Sequence, residues 1–225
     1  MCGRGSLTKV ESELEERFNA TFYSEDLERY NPLPSFNIAP THFHPVIPQE
    51  DVLHFQYYKW GLIPFWAKDQ SIGSKMINAR IEGLLEKPFF KSALQKRRCL
   101  VPMDGFYEWQ KTNGKQKIPL RIGVKNQEIF SMAGLYDNWK DPNGNIIRSF
   151  TIITQAANQF MSTIHDRMPS ILLPEDEKNW LEEDLSIEQS LALLQAYPNE
   201  WMTAYEVSDA VNNVRNNDKT LILPR

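Results

Sequence analysis

The sequence predicts an α+β fold with a β-rich, barrel-like antiparallel core and flanking helices. Three observations lead there. Strand-forming stretches recur at 98–109, 118–124, 128–136 and 147–154. Two Asn-Gly pairs, Asn113-Gly114 and Asn143-Gly144, sit where hairpin turns belong, and such pairs supply the positive φ values that two-residue turns need. The strands are therefore mostly hairpin-joined, which favours an antiparallel sheet or barrel over a parallel α/β sheet.

The elements follow in order. Leu7, Val10, Leu14 and Phe18 recur near helical spacing with acids between them, so residues 7–22 read as a helix. Pro32, Pro34, Pro40, Pro45 and Pro48 make 30–48 a loop, because proline lacks the amide donor of regular structure. Residues 52–60 (VLHFQYYKW) read as a strand, 61–79 as an irregular aromatic-bearing loop and 84–96 as a short helix. Helices are expected at 155–162, 175–183 and 186–195, and a last strand at 201–206. No repeat, low-complexity stretch or linker interrupts the chain, so residues 1–225 are expected to form one domain.

Composition narrows the function. A chain of 225 residues, 41% hydrophobic, is long enough to bury a core without staples. Two cysteines make neither a disulfide scaffold nor a four-thiolate zinc site. His42 and His44 lack clustered Cys or acid partners, so no metal and no cofactor are expected. No apolar run approaches the roughly 20 residues of a membrane span. The first residues lack a signal-peptide pattern, so a cytoplasmic location with reduced thiols is expected.

The net charge of −4 argues weakly against a nucleic-acid partner, but it hides a segregation. Residues 1–67 carry a net −4, residues 68–121 a net +7 and residues 122–225 a net −7. The basic third is either a local field for an anionic ligand or a solvated helix face built from Lys87, Lys91, Lys96, Arg97 and Arg98.

Several residues could carry chemistry. Removal of Met1 would leave Cys2 with an α-amine and a thiol on adjacent carbons. The amine pKa lies near about 7.7–8.0, so part of it is neutral at physiological pH. Such a pair condenses with an aldehyde: the amine forms a Schiff base and the thiolate closes a five-membered thiazolidine. The same thiolate could attack an acyl carbon instead, or Cys2 could belong to a frayed terminus. Glu108 lies between Tyr107 and Trp109, so in a strand it shares a face with Phe106. It is either a surface carboxylate or, partly buried, a general acid or base. His165 has Asp166 and Arg167 beside it, as a proton shuttle or as part of a salt-bridged turn before Pro169. Asn37, Asn78 and Arg80 offer donors to phosphate or sugar oxygens. Trp60 and Trp66 add aromatic surface beside the basic third, suited to stacking unpaired bases unless they are core residues. Cys99, inside an apolar strand, reads as structural.

Taken together, an ordered set of motifs resembles the SOS-response-associated peptidase (SRAP) family of abasic-site processing proteins. It comprises Met1-Cys2-Gly3-Arg4, Phe36-Asn37-Ile38-Ala39-Pro40, Trp60-Gly61-Leu62-Ile63-Pro64, Asn78-Ala79-Arg80-Ile81-Glu82, Gly105-Phe106-Tyr107-Glu108-Trp109 and His165-Asp166-Arg167-Met168-Pro169. The resemblance implies a barrel-like core and recognition of abasic sites in single-stranded DNA. It implies a covalent thiazolidine link through Cys2, with lyase-like Schiff-base chemistry and a self-processing peptidase step that exposes Cys2. By the same resemblance Asn37 lies near the lesion sugar and the Cys2 backbone, and Glu108 and His165 transfer protons. Asn78 and Arg80, with Arg4, hold flanking phosphates. A monomer with no membrane partner is expected, at the nucleoid in a bacterium. Gly5 stands where relatives often carry an aromatic, which predicts looser packing near the terminus. Two other readings stay open: an N-terminal-nucleophile peptidase using Cys2, Glu108 and His165, and a non-covalent reader of modified DNA bases.

Overall fold

The computed structural model describes every residue except Met1, Asn31, Asn113 and Lys115. The expected Asn113-Gly114 turn thus falls outside the described residues. Strand β1 (Gly5–Leu7) precedes helix α1 (Glu11–Phe18), strand β2 (Thr21–Phe22) and helix α2 (Ser24–Arg29). Strands β3 (Ser35–Ile38), β4 (Phe43–Pro48), β5 (His54–Trp60) and β6 (Asn78–Arg80) lead to helix α3 (Pro88–Lys96). Strands β7 (Arg98–Met103), β8 (Gly105–Lys111), β9 (Lys117–Val124), β10 (Phe130–Lys140) and β11 (Ile146–Ala156) follow. Helix α4 (Gln159–Ser162), strand β12 (Arg167–Pro169), helices α5 (Pro174–Trp180) and α6 (Ile187–Ala192) and strand β13 (Met202–Glu206) complete the order. Among the described residues no helix is long and apolar enough to cross a membrane.

Five strands close on themselves. β5 pairs with β4, β4 with β7, β7 with β10 and β10 with β11, all antiparallel. A short parallel contact, Ser149 opposite Lys59 and Phe150 opposite Trp60, then joins β11 back to β5. The barrel expected from the hairpins is therefore present, and a parallel pair seals it. Every residue of β7 is buried, because helices α3 and α5 cover its outer face. Arg98 fastens those helices. Fully buried, it donates to Leu94 O and Gln95 O at the end of α3 and to Trp180 O and Glu182 O at the end of α5. Four carbonyls at two helix C-termini offset its charge, so Arg98 is not part of a solvated face.

A second, antiparallel sheet runs β13-β9-β8-β1-β3. Its two faces bury different clusters. Phe106, Ile122 and Val124 join the main core, while Tyr107 packs with Val207, Val211 and Leu221 from the C-terminal segment.

Four expected elements differ. The 7–22 helix spans only Glu11–Phe18, with Leu7 in β1 and Thr21–Phe22 in β2. Asn19 adopts a left-handed φ of 51° and ends the helix. The 30–48 loop contains β3 and β4. Pro45 is tolerated because β4–β7 pairing begins only at Ile47. The 98–109 strand is two strands in different sheets, divided at Asp104. The 155–162 helix shortens to Gln159–Ser162, since β11 extends to Ala156 and Asn158 caps the helix through Met161 N. Gly5 does not loosen packing: an added Cβ would lie 2.9 Å from Met103 Sδ.

His44 on β4 is buried near Phe150 and donates from Nε2 to Pro102 O at 2.7 Å. Burial pushes its pKa down to about 4. The unfolded chain then takes up a proton between pH 6.5 and 4 that the fold refuses, so stability falls as pH drops through that window. Between pH 7 and pH 4.5 this contributes a loss of about 2 kcal/mol. Urea titrations of the wild type and His44→Gln should show that extra loss in the wild type alone.

Candidate functional site

Gly5 of β1 lies opposite Phe106 of β8, and the Tyr107 amide donates to Arg4 O at 2.9 Å. Continued, that register brings the N-terminal arm alongside Glu108. Strict alternation would put Cys2 on the same side as Arg4. Cys2 instead joins the main core, so the chain leaves the regular alternation at Gly3. Cys2 is 1% exposed. Its carbonyl accepts a 2.7 Å hydrogen bond from Asn78 Nδ2. Asn78 belongs to β6, which pairs parallel to β11 of the barrel. Cys2 thus sits in the seam between the two sheets, with Glu108 reaching it from one and Asn78 from the other.

Burial, reinforced by the charge of Glu108, raises the Cys2 thiol well above its ordinary pKa. The thiol is held protonated. Glu108 is buried at 3% exposure and shares the Phe106 face. Gln110, the next residue on that face, donates to Thr163 O at 2.8 Å. The segment carrying His165 is therefore tied to the end of the same row. His165 Nδ1 accepts from the Arg167 amide at 3.0 Å, with Asp166 Oδ1 at 2.8 Å. The Arg167 side chain turns away, bonding both oxygens of Glu82 and Thr154 O. Among the described residues no group of His, Cys, Asp and Glu could hold a metal ion.

Asn78 also lines a cleft of about 930 Å³ whose walls include Trp66, Lys75, Arg80, Lys87 and Phe89. Arg80 is exposed at its edge. Trp66 is 55% exposed and meets Phe89 edge to face. Asn78 Oδ1 is buried without a hydrogen-bond partner among the described residues. The basic third therefore contributes Lys75, Arg80 and Lys87, beside Glu82 and Glu86, to one concave surface that meets Cys2 only through Asn78 among the described residues.

Three expected assignments change. Trp60 is buried, stacks on Phe150 and donates Nε1–H to Ile77 O, so it packs the core and offers no face to a base. The amide at the Cys2 backbone belongs to Asn78; every side-chain hydrogen bond of Asn37 among the described residues goes to Arg4, Val211 O, Asn213 O or Asn216 O. Arg4 faces away from the cleft, bonding Asn37 Oδ1 at 2.9 Å and Val211 O at 2.5 Å.

A model of the SOS response associated peptidase (SRAP) family matches residues 1–214. The chain belongs to the SRAP family. It is similar to abasic site processing protein YoqW of Bacillus subtilis (strain 168), 43% identical over 224 residues and covering 99% of each chain. Abasic site processing protein HMCES of Xenopus tropicalis is 34% identical over 226 residues, 85% of this chain and 66% of that one. A crystal structure of a Bacteroides thetaiotaomicron protein superposes with a TM-score of 0.91 at 31% identity, covering all of both chains.

Sequence reasoning missed how this SRAP site is braced. Asp104 accepts from Ser6 Oγ, the Thr8 amide and hydroxyl, and Arg121 Nη2. A Cβ on Gly105 would fall 2.5 Å from Arg121 Cζ, so glycine there admits the guanidinium. The Asp104-Gly105 pair was the available signal.

The contrast between the two tryptophans is testable by urea denaturation. Trp60→Ala should cost about 3–5 kcal/mol, whereas Trp66→Ala should stay within about 0.5 kcal/mol.

Proposed function

We propose that this SRAP protein processes abasic sites in single-stranded DNA by forming a covalent thiazolidine link through Cys2. The reading takes residues 1–225 as one domain acting as a cytoplasmic monomer. The observation that carries it is the placement of Cys2: a buried residue near Glu108, gripped by Asn78, which also lines a cleft bearing cations and an exposed tryptophan. The names of the relatives point to the same lesion.

Only a Cys2 freed of Met1 has the required amine. An abasic sugar in its open form presents an aldehyde. The amine adds to that carbon and loses a proton, and the resulting hydroxyl leaves as water to give a Schiff base. The sulfur then bonds the same carbon. In balance one water departs, carrying one proton from nitrogen and one from sulfur. Because the thiol is held protonated, Glu108 takes its proton as the S–C bond forms. Glu108 and His165 share the sugar-side transfers, including ring opening. The Schiff base is also the point from which lyase-like strand cleavage would start, and closing the thiazolidine removes it. Arg80 and Asn78 bind the flanking backbone, and Trp66 gives an unpaired base a stacking face. A self-processing step that releases Met1 would use the same thiol.

A denaturing gel tests this directly. Met1-processed protein mixed with an abasic single strand should give a heat-stable adduct, and Cys2→Ala should give none. An undiminished adduct with Cys2→Ala would refute the proposal.

Glu108→Gln should slow crosslinking by about 10²–10⁴-fold while binding is retained. Arg80→Ala should weaken binding and lower the salt slope by about one.

The crosslinking rate should rise from acid toward the amine pKa near about 8 and fall again in strong base. A rate that keeps climbing would contradict a proton-donating role for Glu108 or His165.

A further inference from the structure

Cys2 is held from both sides of a residue with no side chain. Ahead of Gly3, Asn78 grips the Cys2 carbonyl. Behind it, Arg4 is fixed at several points. Its carbonyl accepts from the Tyr107 amide. One guanidinium nitrogen donates to Asn37 Oδ1 at 2.9 Å and to Val211 O at 2.5 Å. The guanidinium lies over the Trp109 ring, 5.6 Å from its centroid, and Trp109 Nε1 donates to Asn212 Oδ1 at 2.7 Å.

Asn37 completes the fastening. It is 1% exposed, and its amide group donates to Asn216 O at 2.8 Å, Asn213 O at 3.1 Å and Val211 O at 3.3 Å. Its oxygen is occupied by Arg4. Both polar ends of this buried amide are thus used in joining the N-terminal arm to the C-terminal segment. That segment is anchored in turn, because Val207, Val211 and Leu221 bury the ring of Tyr107. Tyr107 and Trp109 lie on the face of β8 opposite Glu108, and neither Arg4 nor Asn37 lines the cleft that holds Asn78.

We propose that Arg4 and Asn37 are positioning residues: with the Val211–Asn216 carbonyls they clamp the N-terminal arm and so set the Cys2 amine and thiol against Glu108. The inference rests on Cys2 being the reacting residue. The C-terminal segment thereby acts on the chemistry without meeting the lesion. With the Arg4 side chain released, the arm keeps the Asn78 bond, the Tyr107 amide bond and the packing of Cys2 but loses its fastening to the C-terminal segment, which loosens Cys2 in the seam.

The test uses the full chain and two independent readouts. The first needs no DNA: iodoacetamide alkylation of Cys2, followed by peptide mass spectrometry. Cys99, fully buried beneath Trp180, is the internal control. Arg4→Ala and Asn37→Ala should each speed Cys2 alkylation at least tenfold and leave Cys99 unchanged. The second compares affinity for a single strand carrying a tetrahydrofuran abasic analogue, which has no aldehyde, with the crosslinking rate at saturating abasic DNA. Both variants should bind the analogue within twofold of wild type yet crosslink at least tenfold more slowly. The double variant should be no slower than either single one, and Arg4→Lys should recover part of the rate. Unchanged Cys2 alkylation would overturn the clamp. So would Cys99 reacting faster in parallel, or analogue affinity and salt slope falling together. If the wild type forms no crosslink, the proposed function fails, and the alkylation result still decides the clamp.

Discussion

Asp104 stands at the turn where the chain leaves the barrel and enters the second sheet. Its carboxylate collects the Ser6 hydroxyl, the Thr8 amide and hydroxyl, and the Arg121 guanidinium, in a site where Asp104 itself is only 9% exposed. An ion pair this buried gains little net stability from its charges alone, but breaking it strands a guanidinium away from water. Its effect is positional. Ser6 and Thr8 can meet Asp104 only if β1 lies against β8, and β1 against β8 carries the N-terminal arm to Glu108. The seam that holds Cys2 is a consequence of where this carboxylate gathers its donors.

Local patterns in the sequence carried most of the architecture. The strands expected at 118–124, 128–136 and 147–154 and the Asn143-Gly144 turn were legible because strand propensity and turn signals are local. Helix α6 falls inside the expected 186–195, where the structure shows Ser186 and Gln189 forming its capping box. The N-terminal 50 residues read poorly for two physical reasons. Leu7 fits the apolar spacing of α1 while its backbone belongs to β1, and Pro45 lies where β4 has no β7 partner to lose. The closing β5–β11 contact joins residues about 90 apart, far outside what a periodicity window sees.

The site was legible in residue type and less so in role. Cys2 lies near Glu108, and the segment carrying His165 is tied to the same strand through Gln110. The two asparagines make different contacts: Asn78 grips the Cys2 carbonyl, and Asn37 ties the two ends of the chain together. Spacing cannot tell these apart, since each sits in a short apolar frame and the difference lies in which strand flanks it. The tryptophans divide the same way. Trp60 ends a strand with four buried positions before it and stacks inside, while Trp66, past Pro64, stands at the cleft with Lys75 and Arg80. Net charge conceals this surface, because the basic residues that face it are outnumbered by acids elsewhere in the chain.

The central claim is that one carbon of an abasic sugar becomes bonded to both the nitrogen and the sulfur of Cys2. Mass spectrometry of the purified adduct tests this most directly. The account predicts a mass equal to Met1-free protein plus abasic oligonucleotide less one water. It also predicts a protease-derived adduct that maps to Cys2-Gly3-Arg4 and resists borohydride, as a closed ring would and an open Schiff base would not. An adduct on a lysine, or one on Cys2 of a chain that retains Met1, would contradict it.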